Sequence, residues 1–217
     1  MRFFVYFLLC AGLLFHAPAH AQETYDLIFK TGTLDELQRD SKLTYERAVE
    51  TPTKPEVAEA ANGKVEMVFD SDELVNLKFL QGEKYRKIGE FPANVGNPVI
   101  MYFVETVVRD MAQTAGGSPF YIRNRVKDSL VQFAEIESGT ATFDGAEVAV
   151  QEITLRPFLK DPNKDRMKGF GELALTITMS DDVPGWYHSL SAYVDAAPGA
   201  EPVYSNTLTL MPLEQVE

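Results

Sequence analysis

The residues best suited to chemistry lie in the run Asp181-Asp182-Val183-Pro184-Gly185-Trp186-Tyr187-His188. It holds the chain's one tryptophan and sets two acids close to a histidine, with Ser189 and Ser191 just beyond. Asp182, His188 and a serine would be the material of a nucleophilic triad. In a strand, however, His188 and Ser189 point to opposite faces, and no G-x-S-x-G elbow occurs in the chain. The other reading is that the two aspartates cap a Pro-Gly turn and that Trp186 and His188 share one face of a sheet, where they could touch a ligand.

A second candidate is Phe120-Tyr121-Ile122-Arg123-Asn124-Arg125, with Lys127 just after it and Arg109 upstream. It places an aromatic, an amide and two guanidiniums within two turns of helix. The planar fork of Arg fits carboxylate or phosphate, so Arg109, Tyr121, Arg123, Asn124 and Arg125 form a candidate anion-recognising rim. The competing reading is that these bases pair with the surplus of acids, Glu105 and Asp110 among them.

Acids number 32, so close carboxylate pairs are inevitable. Glycosidase-type hydrolysis needs two carboxyls at a set separation, which spacing along the chain cannot show. Asp70, Asp72 and Glu73 begin like a calcium loop but lack the glycine and the distal Glu of an EF-hand.

The start of the chain narrows the chemistry further. Arg2, the apolar run Phe3–Phe15 and the small-x-small triplet Ala19-His20-Ala21 have the layout of a secretory signal peptide cleaved after Ala21. The expected organisation is therefore a leader over 1–21 and a single domain over 22–217. Cys10, the one cysteine, would leave with the leader, as would His16 and His20. The mature protein would then have no disulfide, no thiolate and only His188 as an imidazole, so no catalytic residue, metal or cofactor is expected. A net charge of −12 argues against nucleic acid as a partner. After leader cleavage no integral membrane segment is expected. The protein should be periplasmic or secreted.

The elements that must position these residues are mostly strands. Thr24–Lys30 alternates apolar and polar side chains and reads as a strand, and residues 41–49 read likewise. Residues 51–63 read as a loop with a short helical turn after Pro55. Runs 64–70, 73–81 and 84–89, separated by Ser71-Asp72 and Gly82-Glu83, give a β-meander. Asn97-Pro98 then opens a helix, with Asn97 as N-cap and Pro98 at the first position. Its apolar stripe runs through Val99/Ile100, Phe103/Val104, Val107/Val108 and Met111/Ala112 to Ala115. Glu105, Arg109, Asp110 and Gln113 are expected on its polar face, and Gly116-Gly117 ends it.

Ser118-Pro119 starts a second helix, whose apolar side would be Phe120, Ile122, Val126, Leu130 and Phe133. The helical insertion thus covers about 98–132. Further strands are expected around 141–146 as a hairpin, and at 147–158, 167–180, 186–194 and 203–211, with loops at 159–165, 181–185 and 196–202.

About nine or ten strands with one helical pair mid-chain predict a β-rich α+β fold. The sheet would be large, antiparallel and curled or barrel-like, with the helices packed on or in it. This order of elements resembles the curved-sheet-plus-helix folds of periplasmic lipid and lipoprotein carriers. The resemblance implies a carrier or binding protein for an apolar or amphipathic ligand or an envelope partner protein. The alternatives are a structural envelope protein without a cavity and, further off, a carboxylate-dependent hydrolase.

Overall fold

The computed structural model describes residues 19–70, 73–195 and 203–213. Residues 1–18 of the leader expected over 1–21, the Ser71-Asp72 break and the loop expected at 196–202 lie outside the described residues. Nine strands form one open antiparallel sheet: β1 (Lys42–Glu50), β2 (Gly63–Phe69), β3 (Leu74–Gln81), β4 (Lys84–Pro92), β5 (Ile136–Phe143), β6 (Ala146–Leu155), β7 (Ala174–Met179), β8 (Tyr187–Val194) and β9 (Tyr204–Leu210). Their spatial order is β4-β3-β2-β1-β9-β8-β7-β6-β5. Two meanders therefore meet at the centre, where Tyr45 of β1 lies opposite Leu210 of β9.

Among the described residues there are four α-helices: α1 (Ala19–Ile28), α2 (Pro55–Ala61), α3 (Val99–Thr114) and α4 (Pro119–Leu130). The pair α3–α4 connects β4 to β5, the two opposite edges of the sheet, so the chain must cross a sheet face between them. Alternation marks that face. In β1 Leu43, Tyr45, Arg47 and Val49 are buried on it, Thr44 being the one buried residue out of phase, and in β9 Tyr204, Asn206, Leu208 and Leu210 are buried. Ten residues of α3 are buried, including Phe103, Val107 and Met111. The helix fills the face with side chains.

Local chemistry explains most boundaries. α3 starts one residue later than its sequence predicts, with Pro98 at the N-cap position, and the Asn97 side chain accepts the N–H of its first residue, Val99, at 3.0 Å. Gly116 and Gly117 end it with φ of 82° and 94°. Asp144-Gly145, both at positive φ, make the two-residue hairpin turn between β5 and β6.

Three expectations need correction. Thr24–Lys30 is not a strand, since α1 runs to Ile28. The buried positions are Thr24 and Ile28, four apart, and the helix's last carbonyls have tertiary partners: Leu27 O accepts Trp186 Nε1–H at 3.1 Å and Ile28 O accepts the Tyr187 hydroxyl at 2.6 Å. Residues 167–180 are not one long strand. A 3₁₀ turn at Phe170–Glu172, entered through Gly169 at φ 92°, precedes β7. In α4, Ile122, Val126 and Leu130 are buried as expected, but Phe120 is 69% exposed and Phe133, beyond the helix end, 61% exposed.

Candidate functional site

The residues singled out from the sequence do not converge on one site. Trp186 is buried, sits at φ 80° outside β8, and caps α1 through its indole N–H while Lys30 Nζ stacks 3.9 Å from its ring centroid. Gly185 before it has φ 77°, and a Cβ there would meet Leu43 Cδ1 at 2.5 Å, so the turn admits no larger residue. His188 points elsewhere, with Nε2 3.1 Å from the Thr142 carbonyl of β5.

On the helix pair, Arg123 forms a bidentate pair with Glu105 of α3, its Nη2 donating at 2.9 Å. The hydrogen bond and charge of Arg123 hold the Glu105 carboxyl below its usual range. Arg125 pairs with Asp128 at 3.3 Å and lies over the Tyr121 ring at 5.6 Å. The Tyr121 hydroxyl donates to Asp161 at 2.7 Å, which ties α4 to the loop after β6. Arg125 also lines a cleft of about 400 Å³ with Arg156 and Lys160. Arg109 is exposed and Asn124 half-buried on the same pair of helices.

Sequence reasoning missed the most polar feature of the interior. Asp110, expected on the polar face of α3, is buried against the sheet, where Arg47 of β1 donates to its Oδ2 at 3.0 Å. The Tyr204 hydroxyl and Asn206 Nδ2, both on β9, donate to the same oxygen at 2.9 and 3.1 Å. Asn206 also reaches Thr106 Oγ1 at 3.2 Å and accepts from Arg47 Nε at 3.4 Å. Burial pushes the Asp110 carboxyl above the usual aspartate range, against the opposing pull of the Arg47 charge and the donors from Tyr204 and Asn206. Burial likewise raises the Tyr204 hydroxyl far above its ordinary value. This network fastens α3 to the two central strands.

Two surface depressions bear on function. A cleft of about 500 Å³ is lined by Asp35, Glu36, Asp181 and Asp182, all solvent-exposed, with Asp181 paired to Lys30. Carboxylate catalysis needs one acid shifted by an apolar surrounding, and no such surrounding encloses these four. Among the described residues, no group of three or more acids, histidines or cysteines is placed to hold a metal ion.

The other depression is an apolar groove of about 650 Å³ at the rim of the helix layer. Tyr25 of α1 and Phe29 just past its end form one wall, their rings 4.8 Å apart. Phe91 and Val95 from the end of β4 and the turn after it form another, and Met101 of α3 and Val131 after α4 complete the mouth. Met101 is 46% and Val131 57% exposed. Tyr187, buried and hydrogen-bonded to α1, also lines the groove. The charged groups are few: Asp26, which accepts from Gln22 Nε2 at 2.6 Å, Lys30 and Lys127; Thr31 and Asn97 add uncharged polar ones. Ligand sites in proteins are commonly of this size and character.

Among the described residues no helix is long and apolar enough to cross a membrane. No protein-family model matches the sequence, and no curated protein does. Among solved structures, the chain is similar to the lipoprotein LppX of Mycobacterium tuberculosis, at 10% sequence identity and a TM-score of 0.39, over 90% of this chain and 98% of that one.

Proposed function

We propose that the chain is an exported envelope protein that binds an apolar or amphipathic ligand in the groove between α1, the start of α3 and the end of α4. The observation that carries this reading is the clustering of half-exposed apolar side chains, Tyr25, Val95, Met101 and Val131, around one concave surface of an otherwise acidic protein. Such side chains scattered singly on a surface are ordinary, but gathered in one groove they match the lining of a binding site.

Native mass spectrometry of protein purified from the cell envelope tests it, together with titration of short-chain amphiphiles of increasing length. Each added methylene buried should tighten binding about three- to fourfold, following about 0.8 kcal/mol per CH₂. No co-purified lipid and no response of Trp186 fluorescence to any chain length would reject it. Trp186 reports because its indole N–H is bonded to α1, a wall of the groove.

A structural role without a ligand is the second reading. The seating of α3 favours it, since ten buried side chains and the Arg47–Asp110 network leave that helix packed against the sheet. It expects the same groove to stay empty in both measurements.

A further inference from the structure

The groove has a charge asymmetry that bears on which amphiphile it takes. Of its two lysines, Lys30 is committed to Asp181 at 2.5 Å and to the face of Trp186. Lys127, in the last turn of α4, is exposed and lines the apolar mouth beside Leu130 and Val131. No carboxylate among the described residues lies within ion-pairing distance of it. Glu105, the nearby acid whose carboxyl feels its charge, is already held in a bidentate pair by Arg123. Asp26 of α1 supplies the groove's one acid and is engaged by Gln22.

We infer that the groove selects single-chain amphiphiles with an anionic headgroup, the carboxylate or phosphate seated on Lys127 Nζ and the chain lying among Tyr25, Phe29, Met101 and Val131. The inference rests on the groove binding amphiphiles at all. Lys127 has an ordinary alternative role, complementing the carbonyl end of α4. That role would leave ligand choice untouched, whereas a headgroup contact would make affinity depend on ligand charge. Asp26 works in the opposite direction: it should weaken anions and leave neutral ligands alone.

The test compares decanoate, decyl phosphate and the neutral decanol on the purified protein at pH 8, by native mass spectrometry or calorimetry. A charge-assisted contact on an exposed amine beside an apolar groove should favour at least one of the two anions over decanol by about tenfold. Lys127→Gln should remove that preference, and Asp26→Asn should increase it. Which anion is preferred identifies the headgroup. Decanol bound as tightly as both anions, or a preference that survives Lys127→Gln, would overturn the inference and leave the broader proposal standing. Failure of all three ligands to bind would overturn both.

Discussion

Along α3 the usual placement of polarity is inverted at two points. At Asp110 a carboxylate lies inside, against the central strands, and at Met101 an apolar side chain lies outside, at the mouth of a groove. The inner exception is complete in itself, because Arg47, Tyr204 and Asn206 all donate to one carboxylate oxygen and leave it no need of solvent. The outer one has no such internal partner. A buried polar cluster of this kind fixes how a helix sits, since any slip of α3 along β1 and β9 would strand a charge in a low-dielectric interior. An exposed apolar cluster fixes nothing in the free protein. Its energy is realised only when something covers it.

The contrast can be broken most forcefully at Asp110. Asp110→Ala leaves the Arg47 guanidinium buried without its counter-charge and should cost about 3–5 kcal/mol, read by urea denaturation. The double change Arg47→Met with Asp110→Leu should recover most of that loss. Recovery would show that the charges specify the seat of α3 more than they stabilise it.

Next in size is Asn97→Ala. That side chain caps α3 at Val99 and donates to the Tyr45 hydroxyl at 2.9 Å and the Gly185 carbonyl at 2.8 Å. Its removal should lower stability by about 2–3 kcal/mol, seen as a reduced thermal midpoint.

Far smaller is the pair between α3 and α4. Arg123 lowers the Glu105 pKa, so the folded state gives up this proton more readily than the unfolded chain. The pair's contribution is present above the ordinary glutamate value of 4.5 and is lost as pH falls through the lowered one. With both partners partly exposed, solvent screening keeps that contribution small. Glu105→Gln should therefore be slightly less stable than wild type at pH 6, with the difference shrinking as pH falls below 4.5, in paired denaturation curves.

At the other pole, Met101→Gln should leave stability within about 0.5 kcal/mol while reducing the gain in affinity per added methylene of the ligand. A substitution silent in denaturation and visible in binding would complete the contrast with Asp110.

How far these features could be read from sequence follows the same division. The helix from Pro98 was legible because its stripe repeats over five turns and its cap and terminating glycines lie in the same stretch. An antiparallel sheet of about nine or ten strands followed from alternation and turn residues, against nine found among the described residues, and the β-rich α+β class with it. Thr24–Lys30 misled because seven residues do not separate a period of two from one of four. What decides it there is the pair of caps from Trp186 and Tyr187, 159 positions away.

Asp110 looked solvent-facing because its partners lie 63 and 96 positions off. The groove draws on four separate stretches, and no local pattern joins them. One trace of it was present: Met101 is apolar yet out of phase with the Val99/Ile100 and Phe103/Val104 stripe.

The central seam of the sheet has a consequence for how the protein is made. Because Tyr45 pairs with Leu210, the early meander cannot gain its inner neighbour until residue 210 has been synthesised. Until then β1 presents an unpaired edge and the face meant for α3 is incomplete. Contacts so distant in sequence slow folding. For a chain that must cross a membrane unstructured, as the proposed export requires, delay is an advantage. On the proposed export route this topology would keep the nascent polypeptide translocation-competent, with the last strand the clasp that closes on the far side.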